Sequence, residues 1–526
     1  MAMLISEPTE DKDGTEHLCL QWHPCRDFLA VSSYRSGHGG EVNFFTKKGG
    51  KSFFVSKIAQ NVRATKIAWH PSETILAVGW DNGRISIIDP LNKLEHDIGE
   101  RDQDEICCMQ WEERNSLLLV GDKNGLLVLY AVNLNHLEET KRHSRNQMND
   151  ELPVDICLKR LKSKSLLESQ DHTSVLKNKE LDEAEEQLLD AITKSKRYQA
   201  LESSVEEAIT TTDNTDMVTV FIIGGSKGSI LIYLPQNGRV HKIFQAEHGI
   251  RQILDMPERI FLLAITDGLM FYQITVEGTK ATEKIRVKLT GKREQFSMIQ
   301  IDSDTIALCY GERDIRIWDL KNEDNALFRL TSEKGYGSTE NVICLSYSPK
   351  KDCISGGTSE GKIANWRRRR ELRDQPIDQQ WRLQTATGTG MNIHTVSWSH
   401  TTTALAVNGI HSVSIFRDDS VLMHFDTEYA GVQSGSQAIS LLRLIDPLET
   451  QEIQLPTPPK GIYIFGKNFG VWDEEQVQLY EIKNSSNTPL GIQPVSSFSA
   501  ATKYVVIHGQ SIFTLDKEKI NIRTLQ

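Results

Sequence analysis

The stretch "TKIAWHPSETILAVGWDNGRISIID", residues 65–89, contains three short apolar segments separated by two polar turns. The first segment ends at Trp69, the second covers residues 75–80, and the third follows the turn Asp81-Asn82-Gly83. Apolar runs of this length that are bounded by such turns predict β-strands, and Asn-Gly is a preferred hairpin turn. The stretch therefore predicts a small antiparallel sheet whose strands follow one another along the chain.

Two neighbouring stretches repeat this pattern. They are "LCLQWHPCRDFLAVSSY", which begins at Leu18, and "ICCMQWEERNSLLLVGDKNGLLVLYAV", which begins at Ile106. Trp22, Trp69 and Trp111 occupy the same position at the end of the first strand, at spacings of 47 and 42 residues. A period of about 40–45 residues with several short strands per repeat is typical of a β-propeller blade.

The repeat continues through four more units, which begin at Met217, Ile253, Ile299 and Val342. Trp318-Asp319 ends a third strand, as the Trp-Asp dipeptide does in WD40 repeats. Seven units are enough to close a ring, and closure removes most exposed sheet edges. We therefore expect an all-β fold whose first domain, residues 1–370, is a seven-bladed WD40 propeller.

Residues 136–215 interrupt the repeat. We interpret them as an acidic, partly helical insertion between blades three and four, because helix formers dominate its centre. Its apolar residues fall on one helical face, namely Leu181, Ala184, Leu188, Leu189 and Ile192. Two interpretations remain open: a helix or mobile loop over the propeller, or a docking helix for a partner.

The C-terminal part restarts the pattern after a linker over residues 371–392. The unit at Ile393 has Trp398 in the first-strand position, and weaker units follow. Only three or four blades fit into residues 393–526, so we expect a second, incomplete WD40-like propeller. Because an open ring exposes a sheet edge, we also expect the chain to be a truncated form of a longer protein.

Two motifs imitate catalytic or nucleotide-binding sequences. "GGTSEGK", residues 356–362, fits G-x-x-x-x-G-K, and residues 224–228 and 357–361 fit the G-x-S-x-G elbow of serine hydrolases. Both motifs require a strand that leads into a helix, whereas these segments lead into short alternating strands. We therefore interpret them as hairpin turns whose glycines supply positive φ, with Ser226 and Ser359 as turn residues and no catalytic site.

The cysteines form no Cys-x-x-Cys pair, so a zinc ribbon is not indicated. Cys19, His23 and Cys25 are close enough in sequence to bind a metal, but small residues in and after a buried strand are the preferred interpretation. His23 and His70 are interpreted as turn residues. We expect no metal and no cofactor, and free thiols in a reducing compartment.

The charge distribution bears on partners and location. The formal net charge of −11 argues against nucleic acid as a partner. Arg367–Arg370 form a basic run. We interpret this run as a solvated linker. The alternatives are contact with an acidic partner or with an anionic membrane surface. We find no signal peptide and no apolar run of membrane-spanning length, which predicts a cytosolic protein.

The ordered set of motifs resembles one family, that of the 140-kilodalton WD40 subunit of intraflagellar transport complex A. The resemblance rests on Trp-His-Pro at 22–24 and 69–71, "FLAV" (28–31), "ILAVGWDNG" (75–83), "VKLTGK" (287–292), "RIWDL" (316–320) and "RLQT" (382–385). It implies two propellers followed by a helical solenoid, and a non-enzymatic scaffold.

The resemblance also implies partners and a location. The partners are other complex A subunits and, through adaptors, ciliary membrane-protein cargo. The implied roles are retrograde ciliary transport, cilium assembly and entry of membrane proteins, in the cytoplasm, at the ciliary base and along the axoneme. Two alternatives remain: a vesicle-coat scaffold with the same architecture, and an enzyme that uses His, Asp or Glu converging on the propeller channel.

Overall fold

The computed structural model gives the positions of most of the chain. The described residues are 2–6, 14–46, 57–59, 61–99, 104–148, 150–162, 217–256, 261–291, 295–372, 375–419, 421–435, 437–445, 448–473, 475–485, 488–500, 502, 504–516 and 519–524. The contacts divide the chain into a large unit, residues 10–402 and 406–413, and a small unit, residues 1–9, 403–405 and 414–526.

After a first strand, β1 (Ala2–Ser6), three four-stranded sheets follow, each with its strands in chain order. The first contains β2 (Thr15–Trp22), β3 (Phe28–Arg35), β4 (Gly39–Thr46) and β5 (Lys57–Ala59). The second contains β6 (Ala64–Trp69), β7 (Leu76–Trp80), β8 (Ile85–Asp89) and β9 (Leu94–Ile98). The third contains β10 (Ile106–Glu112), β11 (Leu117–Asp122), β12 (Leu126–Ala131) and β13 (Lys141–Gln147).

Four more sheets repeat this order. The fourth contains β14 (Pro153–Lys162), β15 (Met217–Gly225), β16 (Ser229–Leu234) and β17 (Arg239–Gln245). The fifth contains β18 (Ile250–Asp255), β19 (Phe261–Thr266), β20 (Met270–Glu277) and β21 (Lys280–Lys288). The sixth contains β22 (Phe296–Gln300), β23 (Thr305–Tyr310), β24 (Asp314–Asp319) and β25 (Asp324–Arg329). The seventh contains β26 (Val342–Ser348), β27 (Cys353–Thr358), β28 (Lys362–Arg368), β29 (Trp381–Leu383) and β30 (Thr387–Gly388).

An eighth sheet has the strand order β1–β33–β32–β31. Its other strands are β31 (Ile393–Trp398), β32 (Ala404–Gly409) and β33 (Val413–Asp419). The N-terminal strand is its outermost member, and β1 pairs antiparallel with β33, with Leu4 opposite Arg417. Strands from both ends of this part of the sequence therefore share one sheet.

Three further sheets complete the described strands. Their strands are β34 (Met423–Phe425), β35 (Tyr429–Gln433), β36 (Ala438–Arg443) and β37 (Thr450–Gln454); β38 (Gly461–Phe465), β39 (Asn468–Trp472), β40 (Gln476–Ser485) and β41 (Thr488–Ser499); and β42 (Tyr504–His508), β43 (Ser511–Asp516) and β44 (Lys519–Thr524). The described helical segments are one short helix, α1 (Ile377–Gln380), and the 3₁₀ turns Leu137–Glu139, Ser332–Lys334 and Arg370–Leu372.

The first strands of consecutive sheets contact one another around a closed cycle in the large unit. Contacts run from β2 to β6, β10, β14, β18, β22, β26 and β31, and β31 in turn contacts β2. Second strands such as β19 and β23 are buried along their whole length, because apolar clusters fill the spaces between neighbouring sheets from the first to the seventh. This double burial explains their nearly continuous apolar sequences.

The all-β propeller class predicted from the sequence is confirmed. The sheet count differs, because the cycle includes β31 as an eighth first strand. Residues 371–392, predicted as a linker, contain α1 and the strand β29, which pairs with β28. Residues 393–419, predicted as the start of a second propeller, contain β31, β32 and β33, which share a sheet with β1.

The predicted insertion 136–215 also has a different position. Part of it is regular structure, since β13 completes the third sheet and β14 begins the fourth. The break in the sheet pattern lies inside the fourth sheet, between β14 and β15, where Lys162 pairs with Met217. Residues 163–216, including the apolar face Leu181–Ile192, lie outside the described residues.

Candidate interaction surface

Tryptophan side chains join neighbouring sheets of the large unit. The indole nitrogen of Trp69 donates to the carbonyl oxygen of Gln21 at 3.0 Å, one sheet back. Trp111 donates to Ala68 at 3.0 Å, and Trp22 donates to Ser397 at 2.9 Å. The same contact thus joins the second sheet to the first, the third to the second, and the first to β31.

Polar side chains on the first strands reach forward to the next sheet. The Thr65 hydroxyl donates to the Ile106 carbonyl at 2.6 Å, and the Cys107 thiol donates to the Pro153 carbonyl at 2.9 Å. The Asp155 carboxylate accepts the Ile253 N–H at 2.8 Å. Burial raises the pKa of Asp155 to about 6. These side chains supply hydrogen-bond partners for backbone N–H and carbonyl groups of the next sheet.

The histidines of the Trp-His-Pro motifs hold the turn after the first strand. Nδ1 of His23 accepts the N–H groups of Cys25 and Arg26 at 3.0 and 3.1 Å, and Nε2 lies 2.9 Å from the Glu73 carbonyl oxygen. Since Nδ1 is an acceptor and the carbonyl requires a donor, the neutral Nε2–H tautomer fits both contacts. Burial lowers the pKa of His23, and that of His70 as well.

Cys19, His23 and Cys25 are not brought together for a metal. The Cys19 thiol faces the Thr65 carbonyl at 3.3 Å, the His23 ring holds its own turn, and Cys25 is exposed. Burial raises the pKa of the Cys19 thiol. Among the described residues no group of three or more His, Cys, Asp or Glu side chains is arranged to hold a metal ion.

The P-loop-like segment 356–362 is a hairpin connection between β27 and β28. The Lys362 ammonium group donates to Glu340 at 2.9 Å and to Glu360 at 3.1 Å. Burial of Glu340 opposes its ionisation, but hydrogen bonds from Thr358, Lys362 and Gly337 outweigh burial and lower the pKa of Glu340. The lysine is therefore committed to carboxylates of the protein itself.

The glycines of this turn have two different roles. Only Gly361 has a positive φ, at 73°. Gly356 and Gly357 lie in β27, and a Cβ atom on Gly357 would come 2.5 Å from Cγ2 of Ile393 in the next sheet. In this turn the sequence-based explanation, positive φ, therefore applies to Gly361, whereas Gly357 is required by the close approach of the next sheet.

Ser226 and Ser359 occupy equivalent positions in two hairpins. The Ser226 hydroxyl accepts the N–H of Leu152 at 3.0 Å, and the Ser359 hydroxyl accepts the N–H of Asn341 at 3.0 Å. Both serines follow a strand and precede another strand. Each hydroxyl ties the turn to the residue that leads into the first strand of the same sheet.

The basic run 367–370 is partly built into the seventh sheet. Arg367 and Arg368 end strand β28, and Arg368 pairs with Asp302 at 2.9 Å and donates to Gln380 at 2.8 Å. Its guanidinium also lies over the Trp381 ring, 5.5 Å from the centroid. Arg368 therefore stabilises the contact between the sixth and seventh sheets.

A groove of about 460 Å³ lies between the third and fourth sheets. Its floor is apolar and is formed by Leu117, Ala131, Val218 and Pro235. Arg114 and His143 are polar members of its lining. Nε2 of His143 donates to the Pro235 carbonyl at 3.0 Å and so connects the two walls.

A second cavity, of about 630 Å³, lies at the ends of the first strands β22, β26 and β31. Asp302, Tyr347 and His400 are among its lining residues. Asp302 is bonded to Arg368, the Tyr347 hydroxyl donates to Asp352 at 3.0 Å, and burial lowers the pKa of His400. Asp302 and Tyr347 are thus occupied by contacts within the protein, and the lowered pKa of His400 favours its neutral form.

The small unit has an exposed apolar face on its last described sheet. Tyr504, Val506, Ile520 and Ile522 are exposed, and the strand register places them in two cross-strand rows with Leu515 and Phe513. The opposite face, with Val505 and Ile507, is buried against β39 and β40.

Comparison with known proteins decides the family. A model of the IFT140 first beta-propeller matches residues 5–419, and a model of the IFT140 second beta-propeller matches residues 427–526. The chain belongs to the IFT140 family. The resemblance noted in the sequence is confirmed, and the boundary of the first match coincides with the end of β33.

Solved structures similar to this chain share its fold at low sequence identity. The C-terminal WD40 domain of Sif2 aligns with a TM-score of 0.51 and 12% identity, covering 80% of this chain and 100% of that one. The Dos1 propeller aligns with a TM-score of 0.53 and 12% identity, covering 79% and 95%. The designed protein Ika8 aligns with a TM-score of 0.50 and 10% identity, covering 79% and 99%.

IFT140 family membership places the chain in intraflagellar transport complex A as a propeller-bearing scaffold subunit. In the described residues no helix is long and apolar enough to cross a membrane.

Proposed function

We propose that this chain serves as a non-enzymatic scaffold of intraflagellar transport complex A that supports retrograde ciliary transport, cilium assembly and the entry of membrane-protein cargo. The observation that carries the proposal is the succession of two propeller matches, residues 5–419 and 427–526, both to one family. The proposed partners are the other complex A subunits and, through adaptors, ciliary membrane proteins. The proposed location is the cytoplasm, the ciliary base and the axoneme.

The geometry supports binding rather than catalysis. The residues that imitate catalytic motifs have structural contacts: Lys362 with Glu340, Ser226 with Leu152, and Ser359 with Asn341. In the described lining of the cavity beside β22 and β26, Asp302 is paired with Arg368. Propellers bind partners on their faces and rims, and such binding requires none of these groups to react.

The test is to tag the endogenous protein in ciliated cells, image it, and identify the proteins that co-purify with it. We expect signal at the ciliary base and along the axoneme, and co-purification of complex A subunits in stoichiometric amounts. A cell line that expresses the tag alone controls for non-specific capture. Golgi or endosomal signal with coat proteins would instead establish the vesicle-coat alternative and overturn the proposal.

A further inference from the structure

The groove between the third and fourth sheets has a cationic rim. Arg114 lines the groove and is exposed. Ala131 and Thr219 also line it, and their cross-strand partners are Lys141 and Arg160. Side chains that lie directly opposite each other in an antiparallel pair leave the same face of the sheet, so Lys141 and Arg160 extend along the two walls.

These three cations are available to a ligand. Lys141 and Arg160 are exposed, as is Arg114, and no side-chain ion pair or hydrogen bond joins any of the three to another described residue. Arg368, in contrast, is paired with Asp302. The groove therefore carries three cations that have no described ion pair, although the chain as a whole has a net charge of −11.

The carboxylate that lines the groove, Glu112, forms no described ion pair with these three cations. Glu112 is only 3% exposed, and its two oxygens accept the N–H groups of Arg114 and Asn115 at 3.1 and 2.9 Å. On the third-sheet wall, Glu139 accepts the side-chain amide of Asn133 at 2.9 Å.

We propose that this groove binds an acidic segment of a partner protein. The carboxylates of the segment meet Arg114, Lys141 and Arg160 in charge-assisted hydrogen bonds. An apolar side chain beside them rests on the floor formed by Leu117, Val218 and Pro235. A volume of about 460 Å³ is at the small end of ligand pockets, so one or two side chains of the segment enter it.

The proposal rests on the scaffold function, because it assigns one binding surface to that scaffold. The competing occupant is the chain itself, since residues 163–216 carry 13 acidic and 6 basic residues and are joined to β14 and β15 at Lys162 and Met217. Met217 lines the groove. The experiment must therefore separate an acidic segment of a partner from this one.

Zero-length carbodiimide crosslinking of the purified native assembly provides the test, because it joins a lysine amine only to a carboxylate in direct contact. We expect peptide mass spectrometry to find Lys141 joined to Asp or Glu of another subunit. The variant R114E/R160E keeps Lys141 and changes two exposed side chains. It should reduce this crosslink about tenfold, the size expected from weakening a charged contact by about 1.4 kcal/mol.

K321E is the matched control, because Lys321 is an exposed cation in the turn between β24 and β25. It should leave the crosslink unchanged, and thermal unfolding should confirm that all variants remain folded. A Lys141 crosslink only to residues 163–216, no Lys141 crosslink, or one unaffected by R114E/R160E would each overturn the proposal. If the crosslink is absent while complex A subunits still co-purify, the scaffold function stands and only the groove assignment fails.

Discussion

Gly79 shows how closely the sheets of the large unit approach each other. A Cβ atom on this residue would lie 2.6 Å from Cγ2 of Ile106 in the next sheet. The same relation holds between Gly357 and Ile393. Glycine at these positions therefore provides space between sheets, and the backbone there is ordinary strand.

We expect Gly79→Ala to lower the free energy of unfolding of the large unit by about 1–3 kcal/mol, because overpacking forces neighbouring groups to shift. The measurement is the urea midpoint of unfolding. Gly388→Ala is the control, because nothing lies within 4 Å of a Cβ atom there. Equal urea midpoints for Gly79→Ala and Gly388→Ala would contradict this expectation, because they would show that the two sheets can move apart without lowering the free energy of unfolding.

His23 and His70 make stability depend on pH. Burial lowers their pKa values in the folded protein, so the unfolded chain binds protons more readily. Their contribution is fully present above about pH 6.5 and is lost as pH falls toward the lowered folded values. We expect the melting temperature of the wild type to fall between about pH 7 and pH 5.

The H23N/H70N variant should be less stable at neutral pH but should lose less melting temperature over the same interval. Asp155, whose pKa is raised to about 6, acts with the opposite sign, but it is present in both proteins and cancels in the comparison. Parallel pH profiles for the two proteins would contradict the assignment of this dependence to the histidines.

Sequence reasoning explained some residues of the turns and not others. The hairpin position of Ser226 and the turn position of His23 follow from local order alone, because a strand precedes and follows each turn. The role of Gly357 could not be predicted, since its neighbour Ile393 lies 36 residues away in sequence. A glycine that is needed for space and one that is needed for positive φ look alike in a sequence.

The fourth sheet contains the longest break in the described chain. Strands β14 and β15 are paired along their whole length although residues 163–216 separate them, and the last pair is Lys162 with Met217. The strand ends are therefore already in the position that a two-residue hairpin turn connects.

We expect replacement of residues 163–216 by Asn-Gly to preserve the propeller fold, because this dipeptide favours the turn that continues the twist of paired strands. Far-UV circular dichroism and thermal unfolding are the measurements. A Val-Val replacement is the control and should be less stable, because β-branched residues resist the required positive φ. Loss of cooperative unfolding with Asn-Gly would mean that residues 163–216 are needed for the fold.

The position of this break was not evident from periodicity. Strand β14 has the sequence "PVDICLKRLK" and is far from its partner along the chain, so the repeat unit could not be recognised until β15. Local patterning identifies strands that meet their partners within a few residues.

The closed cycle of first strands depends on β31. This strand contacts β26 on one side and β2 on the other, and Trp22 donates to its Ser397 carbonyl. From the sequence repeat we predicted that the unit at Ile393 begins a second propeller, because a unit that closes the first ring has the same pattern as one that opens a second.

We expect a chain of residues 1–419 to be soluble and to unfold cooperatively, and a chain of residues 1–370 to aggregate. The shorter chain lacks β31 and leaves the apolar seams at β26 and β2 uncovered. Size-exclusion chromatography with light scattering measures the difference. A monodisperse, cooperatively folded 1–370 chain would contradict the need for the eighth sheet.

The pairing of β1 with β33 has a consequence for synthesis. Residues 2–6 are translated before their partner, residues 413–419, which follows only after roughly 400 more residues have been translated. At about 5–20 residues per second, the N-terminal strand waits tens of seconds for that partner. Nascent chains of this protein therefore pass through a long period in which the ring is open, and this is when chaperones have most to protect.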